Sequence, residues 1–232
     1  MSTEFLGFSR ELPRFLSALG DNNEKPWFDA HRAESQELDL EPAKRFVGAV
    51  GEATRAWEPE VHAEARVNGS IMRVNRDTRF AADKRPYKDH LDMMFSVGGD
   101  GYDRTRPAYM MRLRADCLML GGGLHGFSKE QLAIYRRAVV DGELGLRLEA
   151  VAKDLSGGDL LPIGGAHYKR VPRGFDAEHP RAPWLLHNGL HTGIRAALPA
   201  ELFDERAVGH VLGVFAQVRP LVTWLETALS RG

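Results

Sequence analysis

Apolar side chains recur at three- and four-residue steps near both ends of the chain. This spacing over residues 5–19 and 207–229 predicts two amphipathic helices, because positions three and four apart share one helical face. Ser128 and Gln131 have the spacing of a capping box, which predicts the start of another helix. Residues 144–155 carry a further helical pattern.

The middle of the chain changes to short alternating or wholly apolar runs separated by turn residues, a pattern that predicts strands. These runs are 65–67, 71–74, 91–95, 108–114 and 117–121. Arg114-Ala115-Asp116 is a short polar connection, so the last two runs are predicted to pair as an antiparallel hairpin. In this hairpin, Tyr109, Met111 and Leu113 are expected opposite Leu118 and Leu120.

This order of elements predicts an α+β fold with a central, mainly antiparallel sheet flanked by N-terminal and C-terminal helices. A doubly wound nucleotide-binding fold is disfavoured, because strands and helices do not alternate along the chain. A single domain is expected over 1–232, helical over 1–60, sheet-rich over 64–123, and helical and irregular over 128–232.

The composition is that of a globular protein with an ordinary core, with 43% hydrophobic and 27% charged residues. The formal net charge of -1 argues against coating nucleic acid by overall charge. A single cysteine, Cys117, excludes an internal disulfide and is consistent with a reducing compartment. The N-terminal residues lack the regions of a signal peptide, and no run approaches roughly 18 uninterrupted apolar residues. The protein is therefore predicted to be cytoplasmic, with no membrane association.

Six basic and two acidic side chains are concentrated between Arg73 and Lys88. We call residues 73–88 the basic loop. The rest of the chain carries a formal charge of about -5, so the positive charge is local. The segment leaves one apolar run, turns at Pro86 and enters the next, which predicts a loop held between two strands. Guanidinium groups on such a loop suit an anion, because they bind phosphate and carboxylate oxygens in pairs.

Two roles are open for the basic loop. In the first, its cations converge on a phosphorylated or carboxylated ligand and its two aspartates orient them. In the second, the aspartates pair with neighbouring cations and only hold the loop to the sheet. Two carboxylates cannot neutralise six cations, which favours the first role. Tyr87 is expected either to contact the ligand or to pack, and His90 is a switchable donor beside the cluster.

A second anion site is predicted where Gly121-Gly122-Gly123 leads towards the Ser128 helix, because backbone N–H groups at helix starts bind anions. His125 stands at its rim as a proton carrier, and the two sites should be close if both are real. Close packing at the hairpin's end explains the glycines equally well. His187 and His191 stand four apart, but Asn188-Gly189 argues against the helix that would bring both to one metal. No metal site is predicted, and no cofactor can be named.

Several motifs together resemble one known family over nearly the whole chain. They are Phe8 with Leu12, Phe15 and Leu16; Asn22-Asn23 and Trp27-Phe28; Arg76-Asp77, Arg79-Phe80, Asp83-Lys84 and Pro86-Tyr87-Lys88; Gly121-Gly122; and the stretch from Lys169 to Pro180. The family is domain of unknown function 2461, found in bacteria and fungi. Leu186-His187-Asn188-Gly189 departs from it, since more lysine is expected there. The resemblance implies a shared fold and carries no activity.

The leading hypothesis is that the protein binds an anionic, phosphorylated small molecule or nucleic-acid end at the basic loop. One alternative is a protein-interaction module that docks an acidic partner with the help of exposed Trp184 and Leu185. Another is a nucleic-acid-acting enzyme, which needs a metal or carboxylate cluster that the sequence does not show. No catalytic residue is predicted. The predicted ligand-binding residues are Arg73, Arg76, Asp77, Arg79, Asp83, Lys84, Tyr87, Lys88, His90, Gly122 and His125.

Overall fold

Six strands form one antiparallel sheet in a computed structural model that describes residues 5–231. The strand order across the sheet is β1-β2-β3-β4-β6-β5. The strands are β1 (Val61–His62), β2 (His90–Val97), β3 (Ala108–Arg114), β4 (Cys117–Leu124), β5 (Gly164–Ala166) and β6 (His187–Ala197). Each neighbouring pair runs antiparallel. The predicted α+β class is confirmed.

Helices precede, interrupt and follow these strands. Within the described residues they are α1 (Leu12–Asp21), α2 (Lys25–Ala30), α3 (Arg32–Ser35), α4 (Glu41–Thr54), α5 (Lys129–Val140), α6 (Leu144–Leu155) and α7 (Ala207–Leu229). A π-helical turn, Gln36–Leu40, joins α3 to α4. The predicted capping box at the start of α5 is confirmed, since Gln131 N–H donates to Ser128 Oγ and Ser128 N–H donates to Gln131 Oε1.

One face of the sheet carries the main core. Alternate side chains of β2 and β3 point to this face, among them Phe95 and Tyr109, which are completely buried. Tyr109 stacks on Phe215 of α7, with ring centroids 5.0 Å apart. The predicted hairpin is confirmed in its register, because Leu113 lies opposite Leu118. The opposite face of β2 and β3 carries the charged pair Asp92 and Arg112 beside the pair Met94 and Met110.

Helix α7 is long and apolar enough to cross a membrane by length and composition alone. Much of its apolar surface is used inside the protein, because Val211, Phe215 and Trp224 are almost fully buried. Trp224 also donates its indole N–H to the carbonyl of Leu144, at 2.9 Å. Pro220 lies inside the helix. Core packing therefore accounts for the apolar character of this helix.

Two predicted strands are absent, and three strands of the sheet, β1, β5 and β6, were not predicted. Residues 65–67 and 71–74 form isolated bridges rather than strands, with Ile71 paired to Met93 of β2. Strand β6 was not predicted, although it pairs with β4 along eight residues. Its sequence alternates poorly because Gly189 and Gly193 replace the large apolar residues that usually mark a strand. A Cβ on Gly193 would lie 2.1 Å from the carbonyl oxygen of Leu120, so the close approach of β4 requires glycine there.

Candidate anion-binding site

The basic loop closes at a neck just before β2. Asn75 and Tyr87 form an antiparallel bridge, and Lys88 N–H donates to the carbonyl of Val74 at 2.8 Å. Tyr87 is buried, and its ring stacks on Phe28 with centroids 4.2 Å apart. Of the two roles left open for Tyr87, this position supports packing.

Asn23 anchors the neck to the segment before α2. Its amide nitrogen donates to the Tyr87 carbonyl at 3.0 Å, and its Oδ1 accepts from Tyr87 N–H at 2.9 Å. The two bonds engage both backbone polar groups of one residue, as a neighbouring strand would. They fix the base of the loop relative to the helices.

Two copies of an Asp-x-Arg arrangement shape the tip of the loop. Asp77 accepts from Arg79 N–H at 3.2 Å, from its Nε at 3.0 Å and from its Nη2 at 2.6 Å. Asp83 accepts from Arg85 N–H at 3.0 Å and from its Nε at 2.9 Å. The side-chain hydrogen bond from Arg79 lowers the pKa of Asp77 to about 2. That from Arg85 likewise lowers the pKa of Asp83 well below its usual range. Each aspartate therefore shapes a turn and orients a guanidinium group.

Two further cations bind within the loop. Arg76 donates to Asp83 at 2.8 Å and to the carbonyl of Arg85 at 3.0 Å, and its side chain is only 26% exposed. Lys84 donates to the carbonyl of Thr78 at 2.9 Å. Together these bonds tie one side of the tip to the other. Arg76 is thus a structural member of the loop, whatever else it binds.

Lys88 and His90 belong to a separate ion-pair cluster on the face of the sheet opposite the main core. Asp92 accepts from Lys88 at 3.1 Å and from Arg112 Nε at 2.6 Å, and His90 Nε2 lies 3.3 Å away. Burial alone would raise the pKa of Asp92, but hydrogen bonds from His90 and Arg112 bring it far below its usual range. Arg112 stands directly opposite Asp92 across β2 and β3. Lys88 is therefore engaged by a carboxylate outside the basic loop, and this ion pair holds the end of the loop to the sheet.

Positive charge remains in surplus at the tip. With Lys88 engaged by Asp92, five cations of the basic loop face two carboxylates, which leaves a formal charge of about +3. Within residues 5–231, Arg73 and Lys84 form no ion pair. The Arg79 side chain is 77% exposed and that of Arg85 is 52% exposed. These groups face solvent, where an anion can reach them.

A cavity of about 240 Å³ lies beside the neck of the loop. Three predicted residues line it, Arg73, Tyr87 and His90, together with Asp39 of the π-helical turn. Asp39 Oδ1 is completely covered and has no hydrogen-bond partner in the described part of the chain. Burial raises the pKa of Asp39 to about 7. The sequence analysis did not identify Asp39, and its place between Leu38 and Leu40 was the only signal.

The glycine run lies within a strand, and its position agrees with the packing alternative left open for these glycines. Gly122 lies within β4 opposite Tyr109, and a Cβ there would lie 2.8 Å from side-chain atoms of both Val218 and Val222. This glycine lets α7 approach the sheet. His125 follows the end of β4 and packs on His191, with ring centroids 4.7 Å apart.

The two predicted anion sites also lie at opposite ends of the sheet. The basic loop enters β2 at His90, which pairs with Arg114 at the turn end of the β3–β4 hairpin. Leu118 lies near this turn, opposite Leu113. Gly122 is four residues farther along the chain, about 13 Å in an extended strand, and His125 is seven residues farther, about 23 Å. Gly122 and His125 therefore do not join the basic loop in one site.

The region around His187 offers no metal centre. His187 and His191 lie on β6, so the helix that would pair them does not form. Across residues 5–231, no group of three or more His, Cys, Asp or Glu side chains could hold a metal ion. A largely apolar cavity of about 460 Å³ is lined by His187 and Trp184. Leu185 is fully buried and Trp184 is half-buried, so the expectation that both are exposed for a partner was wrong.

Comparison with known families gives a match over residues 11–224. The matching family is described as "Conserved hypothetical protein (DUF2461)". This match confirms the resemblance that the motifs indicated, and the description assigns no activity. No curated protein matches the chain.

Proposed function

We propose that this chain, which belongs to the DUF2461 family, binds an anionic, phosphorylated ligand at the basic loop. One observation carries the proposal: five cations on one short, internally bonded loop are matched by only two carboxylates. A phosphoryl group supplies the missing negative charge. It also offers several acceptor oxygens to guanidinium and ammonium donors.

Hydrogen bonds within the protein hold the shape of the loop. Asp77 and Asp83 hold the guanidinium groups of Arg79 and Arg85, and Asn23 holds the neck. Binding therefore costs less side-chain entropy than it would on a flexible lysine-rich tail. Arginine also has five N–H donors, so a guanidinium engaged by one carboxylate keeps donors for a phosphate.

The ion pairs at the tip contribute little to stability. Exposed pairs of this kind are worth about 0–1 kcal/mol, because solvent screens them. Arg79 pairs with Asp77 close in sequence and in the open, so it fastens the loop to no other element. A purely structural role explains Arg76 and Lys88 well. It does not account for the charge of Lys84, which bonds only a backbone carbonyl in the described residues, or for the exposure of the Arg79 guanidinium.

We expect the ligand to be a phosphorylated compound of the cytoplasm. The single cysteine, which is buried, supports a reducing compartment as the proposed location. Arg73 lies at both the basic loop and the 240 Å³ cavity, so a ligand larger than phosphate has room beside the neck.

A thermal-shift screen tests this function with the double variant Arg79→Ala/Lys84→Ala. Wild-type protein is expected to be stabilised by pyrophosphate and by phosphorylated compounds, because a ligand that binds only the folded state raises the melting temperature. The variant should unfold at nearly the wild-type temperature without ligand and lose the ligand-dependent shift.

The matched control is Arg147→Ala/Lys153→Ala on α6, which removes the same two charges from another surface. It should keep the shift. An equal loss of the ligand-dependent shift in both double variants would mean that binding depends only on the net charge of the protein. No stabilisation of the wild type by any phosphorylated compound would contradict the proposal.

A further inference from the structure

An aromatic side chain stands almost fully in solvent at the tip of the basic loop. Phe80 is 96% exposed. The other large hydrophobic side chains exposed in the described residues are aliphatic: Leu6, Val67, Met110, Leu146 and Leu161. Isolated exposed hydrophobic residues are common on proteins. Phe80 is more exposed than these five residues. It also lies in a loop whose cations are held by hydrogen bonds.

The ring of Phe80 is held beside a guanidinium group. The Arg79 guanidinium carbon lies 5.9 Å from the ring centroid, and Asp77 fixes the same guanidinium through two side-chain hydrogen bonds. Nearly the whole ring surface remains open to solvent. A planar group can therefore stack on the ring while its substituents reach Arg79, Lys84 or Arg85.

Single-stranded nucleic acid has both chemical features that this tip would recognise. Its backbone carries one phosphate per nucleotide, and its unpaired bases expose flat faces that stack on aromatic side chains. A duplex hides those faces within the helix. We propose that Phe80 is a stacking platform for one base of a single strand whose adjacent phosphates bind Arg79, Lys84 and Arg85. This inference rests on the proposed function and names its ligand class.

A membrane surface fits the tip less well. Interfacial anchors bury several large apolar side chains, whereas Phe80 is followed by Ala81 and Ala82 and lies between Asp77 and Asp83. Those carboxylates would approach anionic headgroups together with the ring. One ring with cations at its side matches one base with its phosphates.

Fluorescence anisotropy of a short labelled oligothymidylate at low salt tests the inference. Phe80→Ala should weaken binding by about 5- to 150-fold, the usual value of one base stack on an aromatic ring. Phe80→Tyr should restore most of the affinity, since it keeps the ring. Leu146→Ala, another exposed residue, should bind as the wild type does. Neither substitution at residue 80 should change the melting temperature, because that side chain makes little contact with the protein.

Inorganic polyphosphate and phosphatidylserine vesicles are the two comparison probes. Phe80→Ala should bind polyphosphate like the wild type, because polyphosphate has no base. If Phe80→Ala binds the oligonucleotide as the wild type does, the inference fails while polyphosphate binding still supports the proposed function. If the wild type binds neither polymer, both fail. If Phe80→Ala loses binding to vesicles but not to the oligonucleotide, the tip recognises lipid instead and the inference is overturned.

Discussion

Replacing Asp39 with asparagine should change how the stability of the protein depends on pH. Burial raises the pKa of Asp39 from 3.8 to about 7, and its covered Oδ1 has no partner among the described residues. The folded state therefore favours the neutral carboxyl. Between these two pKa values the unfolded chain has released this proton while the folded chain retains it.

The sign and size follow from proton linkage. A carboxyl whose folded pKa is raised lowers the free energy of unfolding as pH increases from about 4 to about 7. The full loss is about 4 kcal/mol, of which about 3 kcal/mol falls between pH 5 and pH 8.5. The amide side chain of the variant carries no charge at either pH. The stability of Asp39→Asn relative to wild type should therefore improve by about 3 kcal/mol between those two pH values.

Urea denaturation of both proteins at about pH 5 and about pH 8.5 provides the measurement. Any constant cost of the amide side chain cancels in the comparison, as do other titrating groups shared by the two proteins. Asp159→Asn, at an exposed position, serves as the control and should show no such change. A stability difference between wild type and Asp39→Asn that stays constant from pH 5 to pH 8.5 would refute the raised pKa of Asp39.

Three further substitutions test the packing around the site and the sheet. Asn23→Ala removes both hydrogen bonds to the Tyr87 backbone and should lower the free energy of unfolding by about 1–3 kcal/mol, measured by urea denaturation. Gly122→Ala places a methyl 2.8 Å from Val218 and Val222 and should lower the free energy of unfolding by about 1–3 kcal/mol, with pyrophosphate binding unchanged. Loss of pyrophosphate binding without loss of stability would instead indicate that Gly122 belongs to the anion site. Glu58→Ala leaves the buried Tyr109 hydroxyl without its 3.0 Å acceptor and should cost about 1–3 kcal/mol, so an unchanged denaturation midpoint would contradict that network.

Local signals explain which parts of the fold could be predicted. The capping box at Ser128, the spacing of α6 and the β3–β4 hairpin depend on residues near one another in sequence, and all three are confirmed. Strand β6 depends on tertiary pairing with β4. The close approach of β4 requires glycines in β6, so its sequence lacks the pattern of large apolar residues that predicts a strand.

The same distinction applies to the candidate site. The charge surplus of the basic loop is a property of composition, so the sequence was sufficient to locate it. The pairing of Lys88 with Asp92 could not be predicted from composition. It belongs to a cluster that the β2–β3 register completes by placing Arg112 opposite Asp92. The distance between the basic loop and Gly122 could not be predicted from the sequence for a similar reason, since β3 and β4 place the glycine run at the far end of the sheet.

Backbone amide chemical shifts in two-dimensional NMR, followed during titration with pyrophosphate, would locate the anion-binding residues one by one. We expect the largest shifts within residues 76–85, and Arg79→Ala/Lys84→Ala should remove them while leaving the rest of the spectrum unchanged. Shifts centred on His187 and its cavity, or no shifts at any residue of the basic loop, would contradict the claim that this loop is the anion-binding site.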